Sequence, residues 1–213
     1  MWKEWQRPVM ASILPESQGK VVAVSHRKVT EDDAQYQSVR AAVKGEPHGY
    51  TKPATYAQLW VDNELMMSDT DMEWHTGVTP VLREIEARPD CNVLIGGLGL
   101  GLIQHAIARN IDRCKPGRVT VVEQNTEVIR TIRPTLPGNF VCRIVHADIF
   151  DWQPPKDTVW DVIFFDIWPT ICTENLGEMT KLHRRFARRK APGGWMASWR
   201  HQEDLRYMRS RGR

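Results

Sequence analysis

The chain has 213 residues, of which 41% are hydrophobic and 26% charged, values typical of one globular domain with a small appendage. A net charge of +3 is too small to indicate a nucleic-acid partner. No apolar run approaches the roughly 20 residues that cross a bilayer, and residues 1–20 lack the apolar core of a signal peptide. We therefore expect a cytoplasmic protein without a membrane partner.

Residues 1–76 predict a small β-rich N-terminal region. The alternating segment 20–29 predicts a strand, and residues 30–45 predict a helix that Thr30 caps. A hairpin is predicted over 56–69, with its turn at Asp62-Asn63.

From residue 77 to 213, predicted strands alternate with predicted helices. The strands are 91–96, 118–123, 140–148, 160–166 and 195–199, and the helices are about 78–88, 102–110, 125–132 and 173–189, with PGG closing the last helix. Short strands that are apolar on both faces are typical of a parallel sheet covered by helices on both sides. The predicted fold class is therefore α/β, with a doubly wound, mostly parallel sheet.

The turn after the first of these strands is rich in glycine. Residues 92–101 read NVLIGGLGLG, in which Gly97, Gly99 and Gly101 form a GxGxG pattern. The dinucleotide fingerprint GxGxxG/A is not met, because Leu102 stands at its last position. In a doubly wound sheet such a turn marks the ligand site, although a purely structural tight turn has the same composition.

Acidic residues end the next two predicted strands. Glu123 ends the second strand, 22 residues after Gly101, where a carboxylate can accept both ribose hydroxyls of a nucleoside. Asp148 ends the third strand and can accept from an exocyclic amine. Either acid alone could be a solvated side chain, but polar features at three successive strand ends predict a nucleoside site.

Together these residues resemble the class I S-adenosylmethionine-dependent methyltransferase superfamily over roughly residues 77–200. The resemblance implies a Rossmann-like fold and S-adenosylmethionine as the donor. It implies that Glu123 binds the ribose and that Asp148 reads the adenine. The implied cofactor-binding residues are Gly97, Gly99, Gly101, Glu123, Gln124, Asp148 and Ile149.

Several stretches resemble the spermidine synthase-like branch of that superfamily. Ile95 stands where many members have an acid, and the hairpin segment with Trp74-His75, the strand WDVIFFD and the strand KAPGGWMASW match the layout of that branch. This branch implies aminopropyl transfer from decarboxylated S-adenosylmethionine as an alternative activity.

The stretch DIWPT (166–170) follows the fourth predicted strand, where the resemblance places the acceptor. Asp166 matches the first acid of the D-x-x-D-P motif of aminopropyltransferases, whereas Trp168 and Pro169 replace the rest. We therefore expect Asp166 to orient or deprotonate the acceptor and Trp168 to stack on it. The alternative is that Asp166 caps a loop and Trp168 belongs to the core.

An alternating run of Asp69, Asp71, Glu73 and His75 precedes the glycine turn. On an extended segment these side chains would share one face and suit a cation. Neither methyl nor aminopropyl transfer needs a metal, so we expect none. We interpret the segment as a lip over the donor pocket, with His75 contacting the substrate.

The last predicted helix has an apolar face and a basic end. The expected inner face is Cys172, Leu176, Met179, His183 and Phe186. The basic residues Arg184, Arg185, Arg188, Arg189 and Lys190 favour a solvated surface over a phosphate site. The four cysteines form no metal-ligand pattern and are expected to be buried free thiols.

We therefore predict an S-adenosylmethionine-dependent transferase, specifically a methyltransferase for a small-molecule acceptor. The alternatives are aminopropyl transfer and a nucleoside-binding module without turnover. The chain ends soon after WMASW, so we also expect an exposed sheet edge that a second copy of the chain would cover, giving a homo-oligomer.

Overall fold

Two β-sheets of different kinds organise the computed structural model, which describes residues 4–44, 51–170, 172, 175–201 and 205. One sheet is antiparallel, has four strands and comes from the N-terminal region. The other has five strands that all run parallel. The predicted α/β class and the small N-terminal β-rich appendage are confirmed.

The antiparallel sheet has the strand order β1-β2-β3-β4. Its elements are β1 Ser17–Gln18, β2 Val22–Val29, α1 Glu31–Lys44, β3 Ala54–Val61 and β4 Glu64–Ser68. The predicted hairpin turn is confirmed: Asp62 and Asn63 both have positive φ, 50° and 63°, as a two-residue turn with matching twist requires. The predicted cap is confirmed too, because the Asp33 amide donates to Thr30 Oγ1 while the Thr30 amide donates to Asp33.

A helical segment connects the two sheets. It consists of α2 Asp71–Glu73, a five-residue π-helical turn Trp74–Val78, and α3 Thr79–Glu86. Residues 71–75 are helical and not extended, with Asp71 and Glu73 in the first turn of α2, where acids favour the positive end of the helix dipole. Position 76, where the sequence placed a boundary, lies inside this segment.

The acids of this run therefore point in different directions. Asp69 accepts from the Ala57 amide at 2.7 Å and from the Met10 amide at 3.3 Å. Asp71 forms an ion pair with Arg7 at 2.9 Å. Glu73 and Asp71 line different pockets. In the described residues no cluster of three His, Cys, Asp or Glu side chains could hold a metal ion.

The parallel sheet has the strand order β7-β6-β5-β8-β9. Its strands are β5 Asn92–Gly96, β6 Arg118–Glu123, β7 Cys142–His146, β8 Trp160–Phe165 and β9 Lys190–Ser198. The remaining helices are α4 Leu102–Arg109, α5 Thr126–Ile132 and α6 Asn175–Phe186. Alternate residues of β5 enter two cores: Val93 and Ile95 pack with α3, α4 and α5, whereas Leu94 packs with α6. Helices thus cover both faces, as predicted.

The end of the sheet differs from its predicted boundaries. The stretch PGG (192–194) lies within β9 and does not precede it, because Gly193 has a φ of +73° where the pairing of β8 with β9 shifts register. In α6, Met179, Leu182 and Phe186 are buried, whereas His183 is half-buried and bonds Ser198 Oγ at 2.9 Å. Residues 173 and 174 of the predicted helix lie outside the described residues.

The four cysteines are free thiols, as predicted, but only Cys91 and Cys114 are buried as expected, whereas Cys142 and Cys172 are half-buried. Burial raises the pKa of the Cys114 thiol to about 12. Over the described ranges, every helix is too short or too polar to cross a bilayer.

Candidate functional site

A cavity of about 570 Å³ opens at the carboxyl edge of the parallel sheet. The chain leaves β5 toward β6 on one side of the sheet and later places β8 on the other side, so the crevice lies at the topological switch point. Residues that follow four different strands line it. They are Gly97, Leu98 and Gly99 after β5, Glu123 and Gln124 at β6, Asp148 and Ile149 after β7, and Asp166 after β8.

The glycine turn has backbone conformations that other residues rarely adopt. Gly97, Gly99 and Gly101 have φ values of 95°, 51° and 72°. A Cβ on Gly97 would lie 2.1 Å from the Asp166 carbonyl oxygen, and a Cβ on Gly99 would lie 2.6 Å from Met67 Sδ. Gly101, in contrast, does not line the cavity. It caps α4 and packs against Leu136.

Glu123 joins this turn to the next strand end. Its carboxylate is buried and accepts from the Leu98 amide at 2.9 Å and from the Asn125 amide at 2.8 Å. Each carboxylate oxygen can accept a further bond. The side chain is therefore fixed in position while it still offers acceptor capacity to a ligand in the cavity.

The part of the cavity next to β7 combines an acid with an apolar slot. Asp148 is exposed and accepts from the Phe150 amide at 2.8 Å, which closes a local turn. Ile149 is buried, and Phe150 lines the cavity beside it. A flat apolar ligand with a polar edge would fit this combination.

Asp166 is a further acid that lines the cavity, and its pKa is raised. Its amide donates to the Gly96 carbonyl at 2.8 Å, which holds it at the end of β8. Burial raises the pKa of the Asp166 carboxyl to about 7. A group with such a pKa can change its protonation state near neutral pH.

Glu73 reaches the same cavity from α2. Burial raises the pKa of Glu73 well above its ordinary value, the charge of Asp166 raises it further, and Arg200 opposes that shift. A Cβ on Gly77 would lie 2.3 Å from Glu73 Oε1, so the carboxylate occupies space that only glycine leaves open. From the sequence, Glu73 was interpreted only as part of a lip over the donor pocket, and Gly77, one helical turn later, was a signal for its burial.

Five buried side-chain atoms in the described residues have no hydrogen-bond partner, and four of them belong to residues that line this cavity. These four are Glu73 Oε1, Gln104 Oε1, Gln104 Nε2 and Trp199 Nε1. The Trp199 indole lies near Glu73 and lowers its pKa, but without the geometry of a hydrogen bond. The fifth atom, His105 Nε2, lies outside the cavity. No motif in the sequence marked Gln104 or Trp199 as site residues.

The two predicted substrate contacts lie in different places. Trp168 is buried, lines the cavity and donates to Glu178 at 2.7 Å. His75 lines a separate cleft with Arg7, Trp74 and Arg83, so the structure does not bring it to the cavity.

The basic end of α6 lies against the loop that follows β7. Arg185 donates to the Trp152 carbonyl at 2.7 Å, and Arg189 donates to the Pro155 carbonyl at 3.3 Å. These two guanidinium groups therefore hold backbone oxygens of residues 152–155 in place, which is a structural task.

Comparisons with known proteins show similarity in fold to solved structures and no match in sequence family. No family model matches the chain, and no curated protein matches it. Among solved structures, S-adenosylmethionine-bound CalS10, an amino pentose methyltransferase from Micromonospora echinaspora, is 22% identical over 59% of this chain and 50% of its own, with a TM-score of 0.43. An S-adenosylmethionine-dependent methyltransferase from Mesorhizobium loti is 18% identical over 60% and 52%, with a TM-score of 0.42.

The N-methyltransferase NodS from Bradyrhizobium japonicum is 17% identical over 56% of this chain and 64% of its own, with a TM-score of 0.42. The chain thus spans about half the length of the first two structures and under two thirds of the third. Similarity at this level says nothing about the ligand or the acceptor of this chain, so any functional inference rests on its own residues.

Proposed function

We propose that the cavity binds S-adenosylmethionine and that the protein is a methyltransferase for a small-molecule acceptor. The observation that carries the proposal is the meeting, in one cavity, of a glycine turn, a buried ribose-type acid at β6 and an acid with an apolar slot at β7. A nucleoside needs these three features in that order along the edge of the sheet.

The residues present fit an adenosine-containing donor. Glu123 would accept from the ribose hydroxyls, Asp148 from the exocyclic amine, and Ile149 and Phe150 would contact the base. The bare backbone at Gly97 and Gly99 allows close approach of a ligand to the end of β5. When bound, the donor supplies a carbon made electrophilic by the adjoining sulfonium.

Asp166 is the residue we assign to the chemistry. It lies beside Gly97 at the centre of the cavity, and its pKa of about 7 suits acceptance of a proton from an incoming nucleophile. The other task of the protein is alignment of the two reactants within the cavity. Trp168 lines the adjoining wall, where its indole can contact the acceptor.

Calorimetric titration of the purified full chain with S-adenosylmethionine, S-adenosylhomocysteine and NAD tests the donor assignment. Glu123→Gln should weaken binding of both adenosyl ligands by about 1–3 kcal/mol, roughly 5- to 150-fold, because a charged acceptor for the ribose is lost. Asp148→Ala should weaken it less, since Asp148 is exposed.

The matched control is Glu127→Gln, a half-buried acid in the first turn of the next helix that pairs with Arg130 and does not line the cavity, which should leave the affinity unchanged. Tighter binding of NAD than of S-adenosylmethionine, or unchanged affinity in both site variants, would contradict the assignment. Aminopropyl transfer would use the same nucleoside site, so the relative affinity for decarboxylated S-adenosylmethionine separates the two activities.

A further inference from the structure

The cleft that His75 lines is a second concave site, with a volume of about 860 Å³. The helical segment between the two sheets borders both sites: Glu73 lines the proposed donor cavity, whereas Asp71 and Trp74 line the cleft. None of the described residues lines both sites. A cleft of this volume has the size of sites that hold small organic ligands.

Two of the carboxylates in this cleft are neutralised by arginines of the protein itself. Asp71 is buried and pairs with Arg7 at 2.9 Å. Glu86 accepts from Arg113 through both carboxylate oxygens, from Nε at 2.8 Å and from Nη2 at 3.2 Å. These acids therefore have little capacity left to pair with other cations of the cleft.

Two further cations line the cleft, and each lies beside one of these engaged acids. The backbone amide of Lys52 donates to Asp71 at 3.1 Å, and Arg83 stands one helical turn before Glu86 on α3. Among the described residues, neither the Lys52 ammonium nor the Arg83 guanidinium forms an ion pair or a hydrogen bond. Both cations are exposed on a backbone that hydrogen bonds hold in place.

The remaining carboxylate of the cleft, Glu4, is exposed and has no partner in the described residues. Two unpaired cations thus face one unpaired acid. The cleft keeps an excess of positive charge, which favours an anionic ligand.

Aromatic rings lie beside these charges. Trp5 is half-buried, and the guanidinium carbon of Arg113 lies 3.6 Å from the centre of its ring. Trp74 is buried and begins the π-helical turn, a feature frequent at functional sites. The cleft therefore offers flat apolar surface next to its cations, which a bare inorganic anion would not use.

We propose that this cleft binds a small planar organic anion, an aromatic or heteroaromatic ring that carries a carboxylate or a phosphate. Lys52 and Arg83 attract the anionic group, and Trp5 contacts the ring. This ligand is distinct from the donor of the proposed function, whose sulfonium does not suit an excess of positive charge. The inference is independent of the donor assignment, because the two sites share no described residue.

Calorimetric titration of the full chain with 1-naphthoate, 1-naphthyl phosphate, the neutral 1-naphthamide and inorganic phosphate tests the proposal. The better of the two naphthyl anions should bind with a dissociation constant below about 1 mM. It should bind at least about 5-fold more tightly than 1-naphthamide, as two exposed ion pairs allow. Inorganic phosphate should bind at least about 10-fold more weakly than 1-naphthyl phosphate, because it lacks the ring. The tighter of the two anions identifies the anionic group that the cleft prefers.

Variants of the exposed charges assign the binding to the cleft. Lys52→Gln and Arg83→Gln should each weaken the naphthyl anions about 2- to 5-fold and leave 1-naphthamide unchanged. Glu4→Gln should tighten the anions about 2-fold, because it removes a like charge. The control is Arg118→Gln, which removes an exposed cation that lines neither site and should change nothing. All four side chains are exposed, so the melting temperatures should stay close to that of the wild type.

Equal affinity for the naphthyl anions and 1-naphthamide would overturn the inference, as would the absence of any effect of Lys52→Gln and Arg83→Gln. Displacement of the naphthyl anions by saturating S-adenosylhomocysteine would overturn it too, because it would place them in the donor cavity. A chain that binds the anions as expected and does not bind S-adenosylhomocysteine would contradict the proposed function and leave this inference standing.

Discussion

Two groups of residues in the cavity satisfy their polar atoms in opposite ways. At the β6–β7 end, Glu123 and Asp148 already accept hydrogen bonds from backbone amides at 2.8–2.9 Å. Elsewhere in the cavity, Glu73, Gln104 and Trp199 have buried atoms without partners. Glu123 and Asp148 thus have hydrogen-bond partners within the protein, whereas the unpartnered atoms of Glu73, Gln104 and Trp199 could find partners only in a ligand or solvent.

The two groups of residues should therefore contribute to ligand binding in different ways. Groups that bond the backbone hold the nucleoside end in a fixed geometry, so a ligand gains from preorganisation there. Buried polar groups without partners have already lost their hydration. A ligand that forms hydrogen bonds with them therefore offsets a desolvation free energy that the protein already carries. We therefore expect the nucleoside end to set where the donor lies and the unpartnered groups to discriminate among ligands.

The largest expected effect concerns Asp166, which lines the same cavity as both groups. Asp166→Asn should lower turnover by roughly 10²–10⁴-fold while donor affinity changes little, because the amide cannot take a proton. Turnover is measured as S-adenosylhomocysteine release with the best acceptor from a panel of small amines, phenols and thiols. Asp161→Asn, on the same strand at its opposite end, is the control. Full turnover in Asp166→Asn together with a lower melting temperature would show that Asp166 only supports the loop.

The next effect tests how rigid the nucleoside end is. Gly97→Ala should destabilise the fold by roughly 3 kcal/mol or more, because φ is +95° and the new Cβ would meet the Asp166 carbonyl at 2.1 Å. Gly177→Ala, in an exposed helical position with open space, should instead stabilise the fold by about 1 kcal/mol. Denaturant unfolding measures both changes. A Gly97→Ala protein with wild-type stability would contradict the close packing of the turn against β8.

The smallest effect is a dependence of stability on pH. The pKa of Asp166 is raised to about 7 on folding, and that of Glu73 is raised too, despite the opposing charge of Arg200. A raised pKa means that the folded state binds the proton more tightly, so these acids favour folding below their ordinary pKa values. That contribution is lost as the pH rises through about 7.

Melting temperatures measured from about pH 5 to about pH 8 should fall more for the wild type than for Asp166→Asn, by a few degrees. Parallel profiles for the two proteins would show that Asp166 does not titrate in this range.

The sequence predicted that Gly97, Glu123 and Asp148 would lie together, as they do in the cavity, and it missed Glu73, Gln104 and Trp199 for a physical reason. Gly97, Glu123 and Asp148 each follow a short apolar strand, and the ends of parallel strands must meet at one edge. The place of these residues at strand ends in the sequence was therefore enough to predict that they lie close together in the structure.

Glu73, Gln104 and Trp199 come from a helix, a second helix and the turn after the last strand, and no local pattern brings them together. Gln104 and His105 are adjacent polar residues in a mainly apolar helical stretch, which was a weak signal. The alternation of acids at 69–73 has the period of a strand, but the first turn of a helix uses the same residue types. His75 was placed in the site on that alternation, and the helix turns it to a different cleft.

A crystal structure of the full chain with S-adenosylhomocysteine tests the division of the cavity most directly. The predicted result places both ribose hydroxyls within hydrogen-bond distance of Glu123 and the adenine between Asp148 and Ile149, with the rest of the ligand extending past Gly97 toward Asp166. A ligand bound in the opposite direction, with its base near Trp199, or bound outside this cavity, would contradict it.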